Sequence, residues 1–207
     1  MSPQTQNARP ISRADTAAMI LFMIAGAVIA VGIVIAAARR VAEILSGQSI
    51  TVPAVFDGTP ADAPIGPDGA PVTVGLQNAD LVAPALPGAS VAALVIEQVV
   101  IVVTVLIVVG TLLWLTWNLV RGTVFSRTNT ALVTTAGITG LVGFIAAPFF
   151  ANMGANGTFA RLSDGTFDNV VVSAELFPML LIAFVAALAS TVFTIGARLQ
   201  RETEGLV

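Results

Sequence analysis

The sequence predicts an all-α membrane protein, a four-transmembrane-helix bundle that carries a small extracytoplasmic β-rich cap. Four long apolar runs alternate with polar stretches, and two of these runs, 91–120 and 130–150, are separated by only nine residues. About 20 consecutive apolar residues cross a bilayer as a helix. The composition agrees, because 56% of the residues are hydrophobic and 10% are charged, whereas a soluble domain is about 25% charged.

The residue types that the chain lacks restrict its chemistry. There is no Cys, His, Lys or Tyr, which removes thiolate nucleophiles, imidazole ligands for metals and the lysines of Schiff bases and phosphate-binding loops. A net charge of −3 provides no basic surface for nucleic acid. No catalytic constellation or metal-ligand cluster is recognisable in the sequence. We therefore expect a non-enzymatic protein with no cofactor, no metal and no direct contact with nucleic acid.

Residues 1–15 are a polar tail that we place in the cytoplasm, and the first transmembrane helix is predicted over 16–45. Its apolar core runs from Thr16 to Ala38. This core is longer than the about 7–15 residues of a signal peptide and ends in two arginines, which favours a retained helix. The helix should end just before Gly47, because glycine commonly follows a helix C-terminus.

Charged residues flank the predicted membrane core on its outer side. Arg39 and Arg40 are predicted to anchor in the lipid headgroups, and Arg39 has Glu43 as its neighbour one turn later. Glu97 is the only acid within an apolar run. Intramembrane acids often mark ion pathways, but the position of Glu97 near the start of its helix favours a carboxylate that faces the interface or the cap.

Residues 46–90 are predicted to be an extracytoplasmic Pro-rich loop with short strands. Seven prolines and four aspartates occur there without any Lys or Arg, and this density of proline excludes a long helix. Alternating apolar residues predict strands at Ser49–Val52 and Pro71–Gln77, with a loop between them. Residues 151–175 are a second extracytoplasmic loop, in which a strand at 169–173 could join the same sheet.

The remaining helices are predicted over 91–120, 130–150 and 176–199, with a cytoplasmic turn over 121–129 and a cytoplasmic tail over 200–207. Ser126 is a candidate N-cap for the third helix. Small residues on that helix would let neighbouring helices approach closely: Ala136, Gly140 and Gly143, with Gly137 and Ala147 nearby. A general abundance of Gly and Ala explains them equally well.

The distribution of arginine predicts the orientation. With the N-terminus inside, six arginines lie on the cytoplasmic side and three lie outside. Cytoplasmic loops are enriched in Lys and Arg. Both termini are therefore expected in the cytoplasm, and the protein is expected to be a multi-pass protein of the cell inner (plasma) membrane.

Two stretches of the chain resemble a known family. The turn carries R-G-x-x-F-S-x-x-N from Arg121 to Asn129, and the C-terminus carries G-x-x-L-x-x-E-x-E-G-L-V from Gly196 to Val207. Together with the four-span layout, they are similar to domain of unknown function family 2975, whose members are small bacterial membrane proteins often encoded beside a short helix-turn-helix regulator. The resemblance implies the architecture and a candidate partner, but no activity.

The candidate contact residues lie in these two stretches: Arg121, Phe125, Arg127, Asn129, Glu202 and Glu204. In one interpretation, Phe125 inserts between helix ends and Asn129 satisfies backbone groups at the start of the third helix. The C-terminal tail would then dock on the turn, with Glu204 near Arg121 or Arg127. In the other interpretation, a small cytoplasmic protein binds the turn and the tail.

Three functions fit these observations. The first is a regulator or tether that binds a small cytoplasmic protein, because the family-like residues cluster on the predicted cytoplasmic side. The second is an accessory subunit of a larger membrane complex, since the chain offers small residues on its helices and no site of its own. The third is a small-solute or ion transporter, although this chain has only four spans and one intramembrane acid with which to build a transport site.

Overall fold

The computed structural model describes residues 13–167 and 176–204, and it leaves out the side chains of residues 13–15, 201, 203 and 204. Four helices and one β-hairpin make up these residues. In chain order they are α1 (Arg13–Leu45), β1 (Ile50–Ala63), β2 (Val72–Ala83), α2 (Gly88–Val120), α3 (Arg127–Leu162) and α4 (Leu176–Glu204). All four helices are long and apolar enough to cross a membrane. The predicted class, mostly helical with a small sheet, is confirmed at that level.

The helices pack as an open row in chain order. Helix α1 packs on α2, α2 packs on α3, and α3 packs on α4. Among the described residues, α1 and α4 make no comparable contact with each other, so the predicted bundle does not close. Each outer helix consequently has one helix neighbour and leaves most of its apolar surface uncovered.

The contact of α1 with α2 follows a narrow stripe. The less exposed positions of α1 recur with alternating spacings of three and four residues: Met19, Met23, Gly26, Ala30, Ile33 and Ala37. This spacing is the one that keeps two helices in contact along their length. At Gly26, an added Cβ would lie 3.0 Å from the side chain of Leu113 on α2.

The contact of α2 with α3 is antiparallel and runs along nearly the whole of both helices. It starts where Asn118 hydrogen-bonds Asn129 and continues at Gly143, which packs against Thr104 so closely that no Cβ fits between them. Near the other end, Gly154 and Gly157 leave equally little space beside α2. The predicted role of small residues is therefore confirmed at Gly143, and the sequence analysis missed the two later glycines.

Helix α3 corrects the predicted boundaries. It begins at Arg127 and continues to Leu162, so the predicted bounds 130–150 are too short and residues 151–162 are helical rather than a loop. Tertiary packing explains the extension, because Ala155, Thr158 and Phe159 are buried. Pro148 lies inside the helix.

The hairpin is larger than predicted. Strands β1 and β2 pair antiparallel from Ile50 opposite Ala83 to Ala63 opposite Val72, so most of the predicted loop between them is strand. An irregularity between Val55 and Thr59 interrupts the register. Described residues contribute two strands to this sheet, and the predicted third strand at 169–173 lies outside them.

One face of the hairpin packs on the ends of α1, α2 and α3 and forms the cap. The buried core of this cap combines residues of β1 with residues of the three helices: Ile44, Ile50, Val52, Ala54, Leu94, Ala155 and Phe159. The irregularity in β1 coincides with Phe56, whose ring meets the ring of Phe159 edge-on at a centroid distance of 5.0 Å. We call this end of the row the cap end, and the end that holds residues 121–126 the turn end.

Replacing Gly143 by Leu should separate α2 from α3, because its surroundings leave no space for a side chain. We expect Gly143→Leu to lower the free energy of unfolding in detergent by about 2 kcal/mol, the usual cost of overpacking. Gly32→Leu is the matched control, since Gly32 is also mid-helix and has nothing within 4 Å of an added Cβ. Equal stability of the two variants would contradict the α2–α3 contact.

Candidate functional site

The turn between α2 and α3 is closed by its own backbone and by a helix cap. Gly122 has a φ of +80°, a left-handed conformation that glycine adopts at little cost. The Ser126 hydroxyl accepts a hydrogen bond of 3.1 Å from the N–H of Asn129. The predicted N-cap at Ser126 is thereby confirmed.

Asn129 holds this turn against α2. Its side chain is fully buried, with 0% exposure. Its amide nitrogen donates to the carbonyls of Thr123 and Val124, at 2.7 and 2.8 Å, while its amide oxygen accepts from Asn118 on α2 at 2.7 Å. Asn129 thus satisfies carbonyls of the turn. These backbone carbonyls lie three and two residues before the N-cap Ser126, so Asn129 serves backbone groups next to the start of the third helix, as predicted, although outside the helix itself.

Phe125 holds the same turn against α4. Its ring lies on Gly196, where an added Cβ would overlap it, and its centroid is 5.9 Å from that of Phe193. The two stretches that carry the family resemblance therefore meet in space, through Phe125 and Gly196. The predicted insertion of Phe125 between helix ends fits this contact. Residues 205–207 of the predicted docking tail lie outside the described chain.

The charged residues of the turn end are largely exposed. Arg121 places its guanidinium 4.8 Å from the ring centroid of Trp117, a cation–π contact, and Arg127 is exposed. Glu202 lies 3.8 Å from Arg198 one helical turn earlier; both side chains are exposed, so this pair contributes little to stability. The predicted contact of Glu204 with an arginine falls on a side chain outside the described set.

A second polar cluster lies at the cap end, around Arg40. Its guanidinium is 2.8 Å from the Glu43 carboxylate and donates to the backbone carbonyl of Thr51 on β1. Arg40 therefore ties α1 to β1.

This cluster changes the roles that the sequence suggested. Glu43 pairs with Arg40, so the predicted neighbour relation with Arg39 does not become an ion pair. Arg40 is engaged within the protein instead of anchoring freely in headgroups, whereas Arg39 is exposed. Glu97 is partly exposed near the start of α2, and its predicted orientation toward the interface or the cap stays a prediction.

A groove of about 320 Å³ lies between the hairpin and α3. Its polar lining consists of Asn78 and Asp80 on β2 and Asn152 on α3, and its apolar lining includes Pro53, Val55 and Pro148. Sequence reasoning missed this groove, because residues 151–162 were read as a loop and the strands were predicted too short to reach Asn78 and Asp80. Within the ranges that the structure covers, no three Asp or Glu side chains come together as a metal site.

No known protein family, curated protein or solved structure matches this chain. The family resemblance of the turn and the C-terminus accordingly stays a prediction.

Asn129→Ala should loosen the turn, because two carbonyls and the Asn118 amide lose their partner in a buried site. An unsatisfied buried group costs about 1–3 kcal/mol. We expect the variant to lose about 3 kcal/mol of unfolding free energy, measured by denaturant titration in detergent. Thr128→Ala, at an exposed neighbouring position, should change it by less than about 0.5 kcal/mol; comparable losses in both variants would exclude a special role for Asn129.

Arg40→Gln should loosen the hairpin where β1 meets α1, since Arg40 joins these two elements. We expect amide hydrogen exchange in β1 to accelerate at least about tenfold, which corresponds to about 1.4 kcal/mol of lost local stability. Arg39→Gln removes the same charge from the exposed neighbour and should leave the exchange rates unchanged. Unchanged rates in Arg40→Gln would show that the cap is held without this cluster.

Proposed function

We propose that this chain is a non-enzymatic, multi-pass protein of the cell inner (plasma) membrane that serves as a regulator or tether. It would hold a small cytoplasmic protein on the rigid surface at its turn end. One observation carries the proposal: Asn129 and Phe125 immobilise the turn, yet the arginines beside them, Arg121 and Arg127, remain exposed.

The dimensions of α2 support a place in the membrane. Glu97 and Trp117 are twenty residues apart, which corresponds to about 30 Å of α-helix and equals the thickness of the hydrocarbon core, about 30 Å. Trp114 and Trp117 are exposed near one end of this segment, where interfacial aromatic residues belong.

The arginines support a cytoplasmic turn end. Arg121, Arg127 and Arg198 are exposed there, and Arg9, Arg13 and Arg201 adjoin the same helix ends in sequence. Of the three arginines at the cap end, Arg40 is engaged within the protein. The positive-inside rule therefore favours the turn end as the cytoplasmic side.

The chemistry of the turn end fits a protein partner with an acidic surface. Arginine is enriched among the residues that dominate binding energy at interfaces. A turn that is already ordered loses less conformational entropy on binding, and Arg121 is further positioned by its stacking on Trp117. A helix-turn-helix regulator is the partner that the family resemblance suggests.

The test is quantitative affinity purification of the full-length protein from its own host in mild detergent. Arg121→Ala combined with Arg127→Ala should reduce recovery of the partner at least about tenfold, as expected for two interface arginines worth about 1 kcal/mol each or more. Arg161→Ala, an exposed arginine near the end of α3 at the cap end, is the matched control. A partner that is recovered equally with all variants would contradict binding at the turn.

A second candidate function, an accessory subunit of a larger membrane complex, is favoured by the open row of helices. Large apolar side chains of α1 and α4 lie exposed on the sides that face away from α2 and α3. Other subunits could pack against these apolar sides in place of lipid. Co-migration of the native protein with a large assembly would favour this function, and migration as a small species with one soluble partner would favour the tether.

A further inference from the structure

The outer part of the hairpin extends beyond the buried core of the cap. Past the irregularity in β1, the two strands pair from Thr59 opposite Leu76 to Ala63 opposite Val72, and we call this part the outer hairpin. None of its paired residues is buried, and none belongs to the core that joins the cap to the helices. A two-stranded hairpin without such support is marginally stable in water.

The two faces of the outer hairpin differ in polarity. On the polar face, the Thr73 hydroxyl donates to the Asp62 carboxylate at 2.9 Å. The register places five apolar side chains on the other face: Ala61, Ala63, Val72, Val74 and Leu76. By the alternation along β2, this apolar face is opposite to the face of Leu81 and Ala83, which packs on the cap core. The core therefore leaves it uncovered.

The two edges of the hairpin differ as well. Strand β1 contains Pro53 and Pro60, which have no N–H to offer a neighbouring strand, and its Thr51 carbonyl already accepts from Arg40. Residues 72–77 of β2, which we call the edge segment, contain no proline and no charged residue. Among the described residues, this segment pairs with β1 alone. Proteins commonly protect a free edge with proline or charge, and the edge of β2 has neither here.

The edge segment matches a second copy of itself. In an antiparallel pair of two β2 strands centred on Val74, this residue lies opposite its own counterpart, and Val72 lies opposite Leu76. The apolar side chains of both copies then share one face of the sheet, where cross-strand pairs of this kind are stabilising. Because the segment is uncharged, the two copies meet without repulsion.

The membrane and the second edge of the hairpin favour a closed dimer. Both copies cross the membrane in the same orientation, so a two-fold axis along the membrane normal brings their caps to the same height. The pairing gives the strand order β1–β2–β2–β1, a four-stranded sheet in place of two marginal hairpins. The proline-bearing β1 strands then form both outer edges, which stops the assembly at two copies.

We propose that two copies of this chain associate through the edge segment, which forms an antiparallel β2–β2 pair centred on Val74. The partner that this surface recognises is a second copy of the chain. This inference uses the membrane placement given above and is independent of any partner at the turn end, so the purification experiment and the experiment below can fail separately.

The experiment is oxidative disulfide cross-linking of the full-length protein in native membranes, with single cysteines introduced into a chain that has none. Val74→Cys should form linked dimers, because directly opposite Cβ atoms of an antiparallel pair lie about 4.5–5.5 Å apart. Ala61→Cys is the matched control: Ala61 lies opposite Val74 in the same hairpin, but three strand spacings, about 14 Å, would separate it from its counterpart. We expect at least about tenfold more dimer from Val74→Cys, since a disulfide requires Cβ atoms about 3.8 Å apart.

Two differently tagged chains in one membrane test the register of the pair. Val72→Cys and Leu76→Cys should cross-link with each other when they are co-expressed. Each variant expressed alone should not, because its counterpart would lie four residues along the strand, about 13 Å away. This mixed pair also replaces Val74→Cys as the test if that variant does not fold.

Three results would overturn the proposal. The first is the absence of linked dimers both in Val74→Cys and in the mixed pair. The second is an equal yield from Val74→Cys and Ala61→Cys, which would indicate random collision in the membrane. The third is a mixed pair that cross-links no better than its two single variants, which would exclude a pair centred on Val74.

Discussion

Glycine at positions 143, 154 and 157 lets α2 and α3 lie so close that a methyl group could not be added between them. In a bilayer this closeness is decisive, because lipid tails are as apolar as leucine and helices associate through van der Waals contact and hydrogen bonds. The pair extends from Asn118 and Asn129 at one end to Ser90 and Gly157 at the other. Helices α1 and α4, the turn and the cap all attach to this pair, so their positions depend on it.

Each end of the pair carries one polar side chain that joins two elements. Asn129 links the turn to α2 at one end, and Arg40 links α1 to β1 at the other. The buried amide of Asn129 has both its oxygen and its nitrogen hydrogen-bonded, which it needs where an unsatisfied polar group is costly, and Arg40 has a carboxylate and a backbone carbonyl as partners. The order that these contacts impose leaves two surfaces available to other molecules: the exposed arginines of the turn end and the free edge of β2.

The sequence was sufficient for features that depend on local chemistry. Long apolar runs located the four helices, and a serine three residues before Asn129 identified the N-cap.

Features that depend on tertiary contacts were missed. Residues 151–162 are rich in Asn and Gly, which are poor helix formers, and they are helical because Ala155 and Phe159 fill the cap. The stretch between the two predicted strands was expected to be a loop, yet Pro53 and Pro60 lie within β1, because both strands of a hairpin are edges, where proline is tolerated. The choice of Arg40 over Arg39 as the partner of Glu43 required the position of β1.

Disulfide formation between Ser90→Cys and Gly157→Cys tests the central α2–α3 pair most directly, because the natural chain contains no cysteine. The Cβ atoms of these two positions would lie 3.2 Å apart, close to the roughly 3.8 Å that a disulfide requires. Rapid oxidative cross-linking in native membranes is the predicted result, with none for Ser90→Cys combined with Asn156→Cys, since Asn156 is exposed. Equal cross-linking of both pairs, or none in the first, would contradict an extended α3 packed against α2.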